Sequence, residues 1–73
     1  MATRQEQISK KLGQRIEELR IKKGLKQEAL ASKAGISHAY YWAITHRGRN
    51  ITIKTASNIA DALGVEVVEL FRS

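Results

Sequence analysis

Apolar side chains recur along this chain at helical rather than strand spacing. Ile8, Leu12, Ile16 and Leu19 stand at i, i+4, i+8 and i+11, which predicts a long amphipathic helix. Thr3 and Glu6 have the spacing of a capping box at its start, and Gly24 is expected to stop it after about Lys23, with Lys22 and Lys23 suiting the carbonyl end of the helix dipole. Gly13 is expected to weaken it locally. Packing is favoured over a free membrane-surface helix because the polar face carries two acidic residues and compact elements follow. Farther on, Ile53, Ala56, Ile59, Ala60 and Leu63 predict the inner face of another helix, begun by Thr52 or Thr55 and ended by Gly64. Val65 to Phe71 predicts a last helical piece. Its Val67, Val68, Leu70 and Phe71 are too many for one side of so short a helix, so some are expected to remain exposed on the monomer as a protein interface.

Between these lies Lys26 to Ile44, which predicts two short helices joined by a tight turn. Gln27 to Lys33 is composed of helix formers, with Leu30 and Ala31 turned inward and Leu25 at staple spacing from Leu30. Gly35 falls where the backbone must adopt positive φ to leave the helix. Ser37 suits the N-cap of a second helix starting at His38, with Ile36 and Tyr41 repeating the staple. On that helix Ser37, Tyr40, Tyr41 and Ile44 share one face, which leaves His38, Ala39, Trp42, Ala43 and His46 on the other. Two helices so joined form either a plain corner or a helix-turn-helix, whose second helix enters the DNA major groove.

Composition favours the second reading. Seventy-three residues without proline make one small all-α domain spanning 1–73, with little room for a large cleft beside its own core. The chain has no cysteine, hence neither disulfides nor thiolate metal sites. No apolar run approaches the roughly 18 residues of a membrane span, and Met1 to Lys11 lacks the core of a signal peptide; a cytoplasmic protein with no membrane partner is expected. The net charge of +6 is uneven: residues 1–54 hold twelve Lys/Arg against four Asp/Glu, and residues 55–73 hold one against three. A polyanion partner at one end and a different task at the other are the expectation. His46-Arg47-Gly48-Arg49-Asn50 follows the second short helix and is too polar for a core. Arg47 and Arg49 are therefore expected to reach phosphates, with Asn50 either taking a left-handed turn or donating to the DNA backbone.

Taken together, GQRIEELRIKKGLKQEALASKAGIS, then Tyr40 and Ile44, then IADALGVEVVELF resemble the compact five-helix DNA-binding domains of lambdoid phage repressors and Cro proteins, the XRE-type helix-turn-helix family. The resemblance covers about residues 12–71. Within that family, YYWAITHRGRNITIK is similar to the controller proteins of restriction–modification systems. The resemblance implies that Gln27 holds a phosphate and that Ser37, His38, Ala39, Trp42 and Ala43 face the groove. The chain departs from the family in three places. Lys26 stands where a Thr or Ser N-cap is usual, which leaves the helix start open to a phosphate. Thr45 replaces a Glu that pairs with the arginine matching Arg20, so that buried pair is expected to be missing unless Glu17 serves instead. Trp42 is bulkier than the usual small residue and, with Ala39, favours thymine methyl groups or a deformable step over guanine edges.

The sequence therefore predicts a homodimeric transcription regulator that reads double-stranded DNA with His38 to His46 on an inverted repeat. Base contacts are expected from Ser37, His38, Ala39, Trp42, Ala43 and His46; phosphate contacts from Lys26, Gln27, Tyr40, Arg47, Arg49, Asn50 and Thr52; and the dimer interface from Val65, Val68 and Phe71, with Leu70 packed inward. No catalytic group, metal, cofactor or small-molecule ligand is expected, since His38 and His46 would stand about 12 Å apart on one helix and no nucleophile–base grouping is visible. The alternative is an antitoxin, a toxin-masking module with autoregulatory DNA binding. Such a module commonly needs an extra tail, whereas this chain ends at Ser73, almost at its last apolar residue.

Overall fold

A computed structural model of the chain describes residues 3–72. Four α-helices, α1 (Arg4–Lys22), α2 (Gln27–Ala34), α3 (His38–Arg47) and α4 (Ile53–Leu63), are followed by a 3-10 helix (Val67–Phe71), with no strand among the described residues. The all-α expectation holds, but the fifth element is a 3-10 helix in place of a fifth α-helix.

Local chemistry sets most boundaries. The Thr3, Ser37 and Thr52 hydroxyls accept from the backbone N–H of Glu6, Tyr40 and Thr55 at 3.1, 3.0 and 3.0 Å, each such cap contributing about 1 kcal/mol. Three helices end alike. Gly24, Gly35 and Gly64 all have φ between +70 and +74°, and the N–H groups of Leu25, Ile36 and Val65 reach back to Arg20, Ala31 and Ala60 carbonyls. This closure returns the apolar residue after each glycine to the core. It explains Val65, expected at an interface: its side chain is partly buried where it closes α4.

The core is built from Leu12, Ile16 and Leu19 of α1, Leu30 of α2, Tyr41 and Ile44 of α3, the inner face of α4, and Leu70. Two expectations about it fail. Ile8 and Ile53, assigned to inner faces, are 50% and 85% exposed. Each lies on the predicted stripe, but near the N-terminal ends of α1 and α4, where the stripe outruns the core. Ser9 is buried instead, its hydroxyl donating to Asn50 Oδ1 at 2.9 Å. Nor is Gly13 merely a weak point. A Cβ there would lie 2.5 Å from the Ile44 carbonyl oxygen and 3.0 Å from Thr45 Cα, so glycine is what lets α1 and α3 touch backbone to backbone.

Gly13→Ala should therefore destabilise by about 1–3 kcal/mol, despite alanine's better helix propensity, through the shift it forces between α1 and α3. Urea denaturation of the variant checks this; stability at or above that of the wild type would show that the two helices part at no cost.

Candidate nucleic-acid interface

Helix α3 divides largely as its sequence predicts. Tyr41 and Ile44 are fully buried and His38, Ala39, Trp42 and His46 exposed, whereas Tyr40 and Ala43, expected on opposite faces, are both half-buried, and Ser37 at the cap is exposed. The exposed face is more ordered than its composition suggests. The rings of Trp42 and His46 stack with centroids 4.7 Å apart and planes 12° apart, and the Arg47 guanidinium lies 5.3 Å from the Trp42 ring centroid. His46 Nδ1 sits 3.2 Å from the Trp42 carbonyl oxygen and 3.0 Å from the Thr45 hydroxyl, which hold the ring in this stack. The indole is thus fixed as a flat apolar plate on the helix.

Around this plate stand the cationic and polar groups. Lys26 occupies the N-cap of α2 without a side-chain cap bond. The first N–H groups of α2 are therefore open to an anion, and Lys26 and Gln27 stand beside them. Arg47 and Arg49 are exposed on the loop after α3. The left-handed residue of that loop is Gly48 (φ +65°), and Asn50 does not adopt positive φ. Asn50 instead accepts from Ser9 through its side chain and from the Tyr40 hydroxyl through its carbonyl, the latter at 3.5 Å. The Arg49 guanidinium lies 5.8 Å from the centre of the Tyr40 ring. The Ser37 and Thr52 hydroxyls are engaged as caps. Loop and helix thus form one surface, with Arg47 and Arg49 as its free charges and Asn50 as its tether to α1.

Beneath the surface lies a group that the sequence reading only partly saw. Glu17 Oε2 accepts from Arg20 Nε at 2.7 Å and from the buried Tyr41 hydroxyl, and Oε1 accepts from Gln27 Nε2 at 2.9 Å. Arg20 Nη1 also donates to the Leu25 carbonyl at 2.7 Å. Arg20 therefore has a partner although Thr45 cannot supply one; the Thr45 hydroxyl donates to the Tyr41 carbonyl of its own helix. Burial pushes the Glu17 carboxyl up, but donation from Arg20, Tyr41 and Gln27 outweighs it and holds the carboxyl down at about 2. Burial and the Glu17 carboxylate together push the Tyr41 hydroxyl well above its ordinary range. A tyrosine on a core-facing stripe must satisfy its hydroxyl, and that requirement was the available signal for Glu17.

The geometry of an uncapped α2, a tight glycine turn and an exposed α3 agrees with the comparisons. Residues 16–70 match the family described as Helix-turn-helix. The chain belongs to the helix-turn-helix family. It is 39% identical over 63 residues to an uncharacterised HTH-type transcriptional regulator, y4dJ, of Sinorhizobium fredii, covering 86% of this chain and 82% of the relative. Among solved structures it is similar to the restriction-modification controller protein C.AhdI from Aeromonas hydrophila, with TM-score 0.81, 40% identity, and 85% and 94% of the two chains covered. It is equally similar in fold to C.Esp1396I bound to a 25 base pair operator site, with TM-score 0.81, 34% identity, and 88% and 84% covered. The resemblance to controller proteins seen in the sequence is thus shared by the structure. Among the described residues no helix is long and apolar enough to cross a membrane.

In this helix-turn-helix protein the Glu17 cluster should make stability depend on acid. A carboxyl whose folded value lies below the unfolded 4.5 contributes stability above pH 4.5 that is lost as pH falls toward 2. Because Glu17 is about a fifth exposed, the contribution is discounted for screening to about 1–3 kcal/mol at neutral pH. Glu17→Gln should cost that much at pH 7, and the gap from wild type should close between pH 4.5 and 2. Thermal melts across that range measure it; a gap independent of pH would mean that packing, not charge, holds the cluster.

Proposed function

We propose that residues 1–73 form a single DNA-binding domain that acts as a homodimeric, sequence-specific transcription regulator on an inverted-repeat operator, the controller of a restriction–modification system. It carries out no catalysis and acts in the cytoplasm. The observation that carries this reading is the α3 face. A rigid Trp42–His46 plate and His38 project between the open start of α2 on one side and Arg47 and Arg49 on the other. That arrangement suits a duplex, with base edges under α3 and the phosphate strands meeting Lys26 and Gln27 at one border and the arginine loop at the other. Ser37, Ala39, Ala43 and Tyr40 lie within the same footprint. Asn50 and Thr52 support it chiefly by holding the loop, since their side chains bond Ser9 and Thr55.

The partner copy is assigned to the groove between α1, the end of the arginine loop and the 3-10 helix. An open apolar groove of about 470 Å³ is lined by Ile8, Ile51, Ile53 and Phe71 among others, and Val68 is 55% exposed on the 3-10 helix. Ile8 and Ile53 thus join the expected Val68 and Phe71, while Val65 turns inward. An isologous contact through this groove would double the base contacts of one α3 and set two such helices about 34 Å apart, one turn of DNA.

Two variants test the reading. Arg49→Ala should weaken all DNA sequences alike and reduce the slope of log K against log salt by about one unit. A changed base preference at constant slope would make Arg49 a base reader. Ile53→Glu, at a position exposed in the monomer, should leave circular dichroism unchanged, sediment as a monomer and bind an inverted repeat at least about tenfold more weakly. A folded variant that still sediments as a dimer would place the contact elsewhere.

A further inference from the structure

Two consecutive residues of α1 hold the loop that follows α3. Ser9 does so by its hydrogen bond to Asn50, whereas Lys10 meets Gly48 by close approach. A Cβ on Gly48 would lie 2.8 Å from Lys10 Cγ, 3.3 Å from its backbone nitrogen and 3.4 Å from its Cα. Glycine is thus needed for this seam as well as for the φ of +65°. The methylene stem of Lys10 leaves α1 across Gly48 while the residue stays exposed, so its charge belongs to the same patch as Arg47 and Arg49, which flank that glycine. Each of the three cations leans on a fixed group: Arg47 on the Trp42 ring, Arg49 on the Tyr40 ring and Lys10 on the Gly48 backbone. Among the described residues the ion pairs engage Arg15, Arg20, His38 and Arg72, and none of these three. Three like charges therefore converge without a carboxylate to offset their repulsion. Lys11, the next residue, turns elsewhere and lines the cleft beside Leu70 and Phe71.

From this packing we infer that Lys10 is a phosphate contact contributed by α1: with Arg47 and Arg49 it forms one three-cation cradle for the DNA strand that borders α3. A phosphodiester seated there offsets the repulsion among the three charges, and their packing lowers the side-chain entropy lost on contact. The ligand is the backbone of duplex DNA, since the patch runs on into the exposed face of α3 and a lysine of this kind needs no base edge. Lys10 therefore adds affinity for every sequence and gives no choice among them. The inference rests on the reading of α3 as the DNA-facing helix and extends the contact surface to α1.

Binding of duplex DNA across a salt series tests the assignment. Lys10→Met keeps the stem over Gly48 and removes the charge. Its slope of log K against log salt should fall by about one unit per half-site, so that its deficit in affinity against the wild type shrinks about fourfold per half-site between about 50 and 200 mM salt. The deficit should be the same on every duplex. Lys10→Arg should keep the wild-type slope, and so should Lys11→Met. An unaltered slope in Lys10→Met means that the stem only packs, and overturns the inference. An equal loss in Lys11→Met, reflecting net charge alone, overturns it too, as does a changed base preference in Lys10→Met, which would make Lys10 a base reader. Should Lys10→Met fail to fold by circular dichroism, acetylation of the wild-type lysines with and without duplex, read by mass spectrometry, decides instead: the duplex should protect Lys10, and equal modification in both overturns the inference. A wild type that binds no duplex removes the functional reading and this role together, whereas a slope lowered by Arg49→Ala but not by Lys10→Met removes the role of Lys10 alone.

Discussion

The Glu17 carboxylate is the constraint on which the α2–α3 surface depends. One ionised group accepts from Arg20 on its own helix, from Tyr41 on α3 and from Gln27 on α2, and thereby ties the two short helices to the long one. A half-buried charge so arranged is stabilising only while its donors stay in place, because loss of one partner leaves the desolvation cost uncompensated. Its value therefore lies as much in specifying geometry as in energy. Tyr41 is fully buried, and its hydroxyl has a low-cost partner only when α3 crosses α1 at the observed height. Gly13 permits that crossing through a close backbone approach, and Glu17 rewards it one turn further along α1.

Much of this fold was legible because it is locally encoded. Thr3 and Ser37 cap helices in the structure as their positions predicted, Thr52 proves to be the cap of the two threonines expected at α4, and Gly24, Gly35 and Gly64 turn where the apolar period breaks. These signals act over three or four residues. What escaped depends on distance in three dimensions. Helical periodicity told which side of α1 and α4 is apolar, but not that the core stops short of Ile8 and Ile53. Propensity counted Gly13 as a cost, since it is blind to the Ile44 carbonyl that a Cβ would force away. Asn50 looked by type like a turn residue or a DNA-backbone donor. Gly48 supplies the turn, which frees Asn50 to bind Ser9, 41 residues away.

The candidate site divides along the same line. The split of α3 into buried Tyr41 and Ile44 and exposed His38, Ala39, Trp42 and His46 follows from a 3.6-residue period and needed no structure. The condition of those exposed side chains did not follow from it. Trp42 stacked with His46 and met by Arg47, and His38 beside Gln27, are products of rotamer choice on neighbouring turns. Such ordering lowers the entropy lost when long side chains meet a partner, so the departure of Trp42 from the small residue usual in the family becomes intelligible as a pre-formed apolar plate.

The loop from Arg47 to Thr52 joins the two functions proposed for this chain. Its first half carries the free arginines and packs on Tyr40. Its second half, through Asn50, Ile51 and Thr52, lines the apolar groove opposite α1. Between the halves the Ser9 hydroxyl holds Asn50 at 2.9 Å. A second copy seated in the groove would press on the same segment whose other end is proposed to meet phosphate, and would restrict its backbone before DNA arrives. Each residue so fixed in advance spares roughly 1–2 kcal/mol of backbone entropy at the moment of binding. Dimerisation would then raise operator affinity in two ways, by doubling the reading helices and by ordering the loop beside each of them. On the proposed reading the second effect would fall on phosphate contacts and the first on base contacts, so the loop would contribute affinity for any duplex while α3 would supply the choice among them.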